Sequence, residues 1–453
     1  MVSNKEKFYY GLGDLSGNIM FGAVSFFLLN FIIKVGGLNA ALAGVVFIIA
    51  RGWDAITDYW MGRIVDRTKS KYGKMRVYML FGALPFGISF ILLWWIPDTN
   101  VQLIKFIYFT LVYCLYNTFW TIVYIPYNSL TANMTNDYDE RTSINTVRII
   151  MANIGLLLGA AVFALLADGT TSIFYEKFGS LSKSYALSGI LFGVIAALLM
   201  LVCAINTKER NSDLKQNQSG FFETLKQFFK IKEFRNTIMY YLLSMIGFDI
   251  IMAVFIFYVN DTLGFKGGDT SMLFVAIPLI VAIASAVIWE KLSKRFSKHK
   301  VYTFASIYTS IVLLFCLIIP YQSFIGLLAV CVGVGFGMSA IQILPYSSVP
   351  DVIEFDEYYN NVRREGAYYG IVSLMYKLAS GLAIFVVSSI LDLFGYIEGS
   401  QDTQPEEALL AIRLIFSILP GIIFIISIIF AYRANISRES LNFVKAEIEK
   451  RNK

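Results

Sequence analysis

The sequence predicts an all-α integral membrane protein, with twelve transmembrane helices arranged as two pseudo-symmetric six-helix bundles. Three observations predict it. The 453 residues are 57% hydrophobic and only 15% charged, against roughly 25% charged in soluble domains. Apolar stretches of about 20 residues, the length that crosses a hydrocarbon core of roughly 30 Å, recur along the chain. One short motif appears twice, at about half the chain's length apart.

Twelve spans can be placed, beginning near Phe8, Leu38, Val77, Val101, Ile144, Tyr185, Asn236, Ser271, Val301, Phe324, Ala367 and Ala408. No cleavable signal peptide is expected, because the first apolar stretch is too long. Basic residues gather in short connections: Arg63, Arg67, Lys69, Lys71, Lys74 and Arg76 after span two, and Lys291, Lys294, Arg295, Lys298 and Lys300 after span eight. The opposite connections around 97–100 and 319–324 have no Lys or Arg. This asymmetry puts both termini and the basic loops in the cytoplasm, in a cell (plasma or inner) membrane. It also explains the net charge of +6 without nucleic acid as a partner.

The polar stretch 207–235 divides the chain into a bundle at 1–206 and another at 236–433, followed by a cytoplasmic tail at 434–453. Within the divide, FFETLKQFF reads as an amphipathic helix on the inner membrane face. The repeat supports the division. Ile125-Pro126-Tyr127-Asn128-Ser129-Leu130 follows span four, and Leu344-Pro345-Tyr346-Ser347-Ser348-Val349 follows span ten. An acidic cluster and an Arg/Glu pair come after each. Transporters built from repeated halves bind cargo where the halves meet.

Charges inside the spans are few, and each costs at least ~2.5 kcal/mol at the bilayer centre unless it has partners or a cavity. Asp54 and Asp58 are four apart on span two, so they share a helix face. Their repulsion is relieved by a bound Na⁺, Li⁺ or proton, since hard cations take oxygen ligands. A structural pairing with Arg51 is the alternative. Asn117, Thr121, Tyr124 and Asn128 form a polar stripe on span four, which fits either a cation and substrate surface or a hydrogen-bonded helix seam. Span one carries a similar stripe, Gly11, Asp14, Asn18 and Ser25, with Gly22 permitting close packing. Arg148 on span five and Lys377 on span eleven are isolated cations, and Asp249 an isolated acid without an assigned role. Lys377 requires an anion, either a carboxylate such as Asp54 or Asp58 or an anionic substrate.

The four cysteines fall in apolar spans without metal-type spacing and read as small core residues. The single histidine, His299, sits in a basic stretch. With no nucleophile–base pair or nucleotide loop, enzyme chemistry is not expected, and no cofactor is implied.

Several of these elements resemble the glycoside–pentoside–hexuronide:cation symporters, a branch of the major facilitator superfamily that includes the melibiose and glucuronide permeases. The resemblance is carried by Tyr10-Gly11-Leu12-Gly13-Asp14, by Arg51–Asp58 with its W-D-A-x-x-D pattern, by Gly62–Arg67 with Lys71–Lys74, by IPYNSL, and by the Asp351–Glu357 cluster, Arg363–Gly366 and Lys377. It runs from about Tyr10 to the last spans and implies the major facilitator fold.

By that resemblance Asp54, Asp58, Thr57 and Thr121 bind the coupling cation, Na⁺ ahead of H⁺. Lys377 links cation and sugar sites, and Arg148 lines the sugar cavity. Asn18, Tyr124, Asn128, Gln342 and Ser373 complete the expected substrate contacts. Arg141, Asp351, Glu354 and Arg363 fall where the family forms cytoplasmic-side ionic contacts between bundles. The melibiose permease grips sugar with aspartates on spans one and four, where this chain has Asn18 and Tyr124. The less negative cavity suits an anionic sugar, such as a hexuronide or sulfonated sugar, as an alternative to a neutral glycoside. The expected activity is cation-coupled sugar import by alternating access, by a monomer. Lysolipid transport with Na⁺ and a non-transporting membrane receptor are the rival readings.

Overall fold

The computed structural model describes residues 2–135, 138–210, 230–265, 268–360, 365–398, 404–434 and 438–451. Its described residues are helical and loop segments without strands. Eleven described helices are long and apolar enough to cross a membrane. The remaining expected span is the helix Lys298–Phe315. It is less apolar because it opens on Lys298-His299-Lys300 and carries Tyr302, Thr303, Ser306, Thr309 and Ser310. Those polar groups serve packing: Tyr302 Oη bonds with Ser244 (2.6 Å) and Ser427.

Five helices position the site: α1 (Asn4–Ala23), α2 (Ala40–Arg67), α3 (Arg76–Leu93), α4 (Gln102–Met134) and α5 (Tyr138–Leu157). Ser3 caps α1 by accepting from Glu6 N, and Asn39 caps α2 by accepting from Leu42 N. Each satisfies a backbone donor the helix start leaves unpaired. α1 continues through π-helical turns at Val24–Leu28 and Phe31–Val35.

α1 and α5 approach backbone to backbone, and glycines make the approach possible. A Cβ on Gly155 would lie 2.8 Å from Leu15 O, and one on Gly22 2.7 Å from Leu156 O. Lipid offers no hydrophobic drive between helices, so such close approach supplies the packing energy.

The chain forms two compact units. The first comprises Met1–Lys215, Phe255–Ala276 and Ile384–Ala411. Its later segments are held by buried polar links. Lys34 pairs with Asp261, which also accepts from Tyr396 Oη at 2.8 Å. Asp168 accepts from Tyr185, Asn260 and Ser271 at 3.0, 3.0 and 2.7 Å. Asn39 Nδ2 donates to Asp392.

The second unit comprises Gln216–Val254, Ile277–Ala383 and Ile412–Lys453. Phe234, Ile238, Val352, Tyr368 and Ile371 are among the residues of its apolar core. The tail is a helix, Arg438–Arg451, docked on the helix Val349–Asn360, where Arg451 Nη1 donates to Tyr358 O at 2.8 Å. The expected amphipathic helix FFETLKQFF lies outside the described residues, as does Arg363.

Candidate functional site

Two polar clusters are built within the first unit, both on α4. The first lies between α2 and α4. Helical spacing places Asp54 and Asp58 one turn apart toward Thr121, whose Oγ1 is 3.2 Å from Asp54 Oδ1 and 2.7 Å from Asp58 Oδ1. Asp54 is 3% exposed and Thr121 1%. Thr57 Oγ1 bonds back to Asp54 O at 3.0 Å and lies 3.4 Å from Thr121 Oγ1. All four residues expected at the cation site are therefore brought together. Neighbouring contacts fix the seam: Asn117 Nδ2 donates to Ala50 O at 2.9 Å, and Trp53 Nε1 to Thr118 Oγ1 at 2.8 Å. Asn117 thus belongs to the helix seam.

A threonine hydroxyl carries one hydrogen. Two carboxylate oxygens converge on Thr121, and that hydrogen can serve only one of them.

The second cluster joins α1, α4 and α5 around Arg148. Its Nε donates to Asp14 Oδ2 at 2.6 Å, and its Nη2 lies 3.4 Å from Asp14 Oδ1 and 2.6 Å from Asn128 Oδ1. Its Nη1 donates to Thr131 Oγ1 at 3.3 Å. The guanidinium stands 5.5 and 5.0 Å from the ring centres of Tyr10 and Tyr127, a favourable cation–π setting. Tyr127 Oη also donates to Asp14, at 2.9 Å. Asp14, without a role in the sequence reading, is the counter-charge of Arg148. The signal for it was an acid in an apolar span, which demands a partner.

Other expected substrate contacts are arranged differently. Tyr124 is buried, and its Oη donates to Gly13 O at 2.6 Å. A Cβ on Gly17 would meet that oxygen at 1.8 Å, so Gly17 makes room for the tyrosine. The ring stacks on Trp120 at 4.3 Å. Through its bond to Gly13 O, Tyr124 ties α4 to α1. Asn18 is half-buried, its Nδ2 donating to Asp14 O at 2.9 Å. Asn128 is exposed beside Arg148.

In the second unit, Gln342 and Lys377 are half-buried and Ser373 is exposed. Beside Lys377, Tyr376 Oη donates to Asp249 Oδ1 at 3.1 Å, which gives Asp249 a partner. Asp351 pairs with Lys298 at 2.6 Å, an ion pair within the second unit. Lys298 opens the helix Lys298–Phe315, 53 positions earlier in the chain. Glu354 is half-buried on the same helix as Asp351, and the Arg141 side chain lies outside the described residues.

Sequence reasoning missed one cradle. The Glu209 carboxylate accepts from the backbone N–H of Lys74, Met75 and Arg76, each at 2.9 Å. These are the unpaired donors at the start of α3, where a helix terminus favours an anion. Gly73, at φ +102°, permits the approach. The basic loop is thus anchored from within.

The chain matches the model of the family described as MFS/sugar transport protein over residues 9–438. It is 30% identical to the uncharacterized symporter YnaJ of Bacillus subtilis, over 100% of this chain and 96% of the relative. It is 26% identical to the putative glycoside/cation symporter YagG of Escherichia coli (93% and 90% covered). It is 24% identical to the sodium-dependent lysophosphatidylcholine symporter 1 of Gallus gallus (92% and 83% covered). The crystal structure of the nucleoside transporter NupG superposes with a TM-score of 0.70 at 12% identity, over 96% of this chain and all of NupG, which shows a shared fold. The chain belongs to the MFS/sugar transport family: it is a multi-pass membrane transporter, and not an enzyme.

Proposed function

We propose that this protein is a cation-coupled symporter for a sugar or glycoside, working by alternating access, with Asp54, Asp58, Thr57 and Thr121 holding the cation. The observation that carries the reading is the convergence of two intramembrane carboxylates on one hydroxyl. Binding of Na⁺ there, or of a proton, relieves the repulsion and draws α2 to α4. Because Thr121 shares α4 with Tyr127, Asn128 and Thr131, ordering that helix also orders the Arg148 cluster. Cation and sugar then each raise the other's affinity, a reciprocal coupling. Arg148 and Asn128 are the proposed sugar contacts in the first unit, and Gln342, Ser373 and Lys377 those in the second. The basic loops put both termini in the cytoplasm.

The sodium-dependent relative supports Na⁺ over H⁺. That same relative supports a second cargo, a lysophospholipid. Counterflow in proteoliposomes separates these readings. Neutral and acidic glycosides and lysophosphatidylcholine are tested with and without Na⁺, at several pH values. Sugar exchange stimulated by Na⁺ and lost in Asp54→Asn is expected. Uptake that keeps its cation dependence in Asp54→Asn and Asp58→Asn overturns the site, and competition by lysophosphatidylcholine alone overturns the cargo.

A further inference from the structure

Asp14 is the one charged group in these clusters to which neither the family match nor the cation site gives a task. Its surroundings do. Arg148 has five N–H donors, and four are engaged: Nε with Asp14, the two of Nη2 with Asp14 and Asn128, and one of Nη1 with Thr131. The edge formed by Nε and Nη2 is one that grips a carboxylate with two parallel bonds. Here the protein's own carboxylate sits on it. The rings of Tyr10 and Tyr127, their centres 4.6 Å apart, stand together on one side of the guanidinium. One Nη1 hydrogen is left.

From this arrangement we infer that Asp14 is a specificity-determining residue that makes the sugar site select against acidic substrates. The inference rests on the proposed reading of Arg148 as a sugar contact. One remaining N–H suits a hydroxyl or ring oxygen, which needs a single donor. A substrate carboxylate finds the two-bond edge of Arg148 filled and a second carboxylate within a few ångströms. Like charges so placed in a low-dielectric site disfavour binding strongly. Asp14 therefore acts as a resident acid group: it cancels the charge that would attract a hexuronide while leaving Arg148 able to hold a neutral sugar. The preferred cargo is accordingly a neutral glycoside.

The role is one of positioning and exclusion, and it differs from a purely structural one in its readout. A structural role would move all ligands together, whereas a selecting role changes the ratio of acidic to neutral ligands. The probes are the p-nitrophenyl D-glucosides and p-nitrophenyl D-glucuronides, in both anomers, which differ only at C6. Binding is followed by tryptophan fluorescence on the full-length protein, in Na⁺, beside thermal melts. The wild type is expected to bind a glucoside at least tenfold tighter than its glucuronide. Asp14→Asn keeps an acceptor for Tyr127 and frees the positive charge, so glucuronide affinity should rise about tenfold relative to glucoside. Asp14→Asn with Arg148→Gln should lose that gain. Equal affinities in the wild type overturn the inference even if no variant folds, as does an Asp14→Asn protein that weakens both probes equally. Failure of the wild type to bind any glucoside or glucuronide, with lysophosphatidylcholine bound instead, withdraws the sugar reading itself.

Discussion

The two acid clusters on α4 invite comparison, because they solve the same electrostatic problem in opposite ways. Asp14 accepts from Arg148 and from Tyr127 Oη, so its charge is matched by the protein. Asp54 and Asp58 converge on a neutral hydroxyl that has one hydrogen between them. Both lie within spans, where an uncompensated charge is costly. Under the proposed function the Asp14 cluster is permanent, whereas the Asp54–Asp58 cluster exchanges a cation with solution. The difference teaches that an intramembrane acid becomes a transport site through what stands opposite it, and through nothing intrinsic to the acid.

The strongest way to break the contrast is to remove one acid of the second pair. Asp54→Asn or Asp58→Asn should abolish cation stimulation, lowering uptake at limiting sugar by about 5–150-fold, the usual span of a coupling factor. Proteoliposome uptake with and without a Na⁺ gradient measures it. Unchanged stimulation would put the cation elsewhere.

Removing one partner of the matched cluster should damage stability more than coupling. Arg148→Met leaves Asp14 largely buried with only Tyr127 to serve it. The expected loss is about 2–3 kcal/mol, somewhat under that of a fully buried pair because both side chains keep some exposure. Arg148→Met with Asp14→Leu should recover most of it, read by thermal melts in detergent. A double variant as unstable as the single would show that the pair is not the source of the effect.

Much of this contrast was legible in the sequence, and the rest was not, for definite reasons. The spans follow from length and hydropathy, and the one that falls short, Lys298–Phe315, does so because its hydroxyls serve packing. Asp54 and Asp58 were legible because helical periodicity alone puts residues four apart on one face. Asp14 and Arg148 are 134 positions apart, and no local rule joins them. The position of Tyr124 on the polar stripe was visible. Its partner, the Gly13 carbonyl on another helix, was not visible. The Glu209 cradle was hidden for a similar reason: its donors are backbone groups, which every sequence has.

Thr121 tests the finer geometry of the Asp54–Asp58 pair. Thr121→Val keeps the shape and removes the hydroxyl, and a hydrogen bond to a charged group is worth about 1.5–3 kcal/mol. Apparent Na⁺ affinity should fall roughly tenfold, with sugar binding in the absence of cation unchanged. Loss of sugar binding without cation would mean the hydroxyl belongs to the sugar site. A smaller effect is expected at Tyr124. Tyr124→Phe gives up one hydrogen bond to Gly13 O, about 1 kcal/mol of stability, and should leave sugar affinity within about twofold. A larger drop in affinity would place Tyr124 in the substrate set.

The smallest effect is expected from the only histidine, and it bears on which cluster titrates during transport. His299 lies in the basic stretch ahead of the ninth span. Burial, and then the neighbouring Lys300 ammonium, push its imidazole below its ordinary value. The unfolded chain therefore takes up this proton at a higher pH than the folded one. The stability tied to neutral His299 is fully present above about pH 6.5 and declines as pH falls through that value. His299→Gln should remove a slight acid sensitivity from the melting temperature and leave the pH profile of uptake as it was. A shift of uptake between pH 6 and 8 that survives His299→Gln but disappears in Asp54→Asn would assign the titration to the Asp54–Asp58 pair. A shift lost in His299→Gln instead would sever pH dependence from that pair, and with it the case for a proton as the coupling ion there.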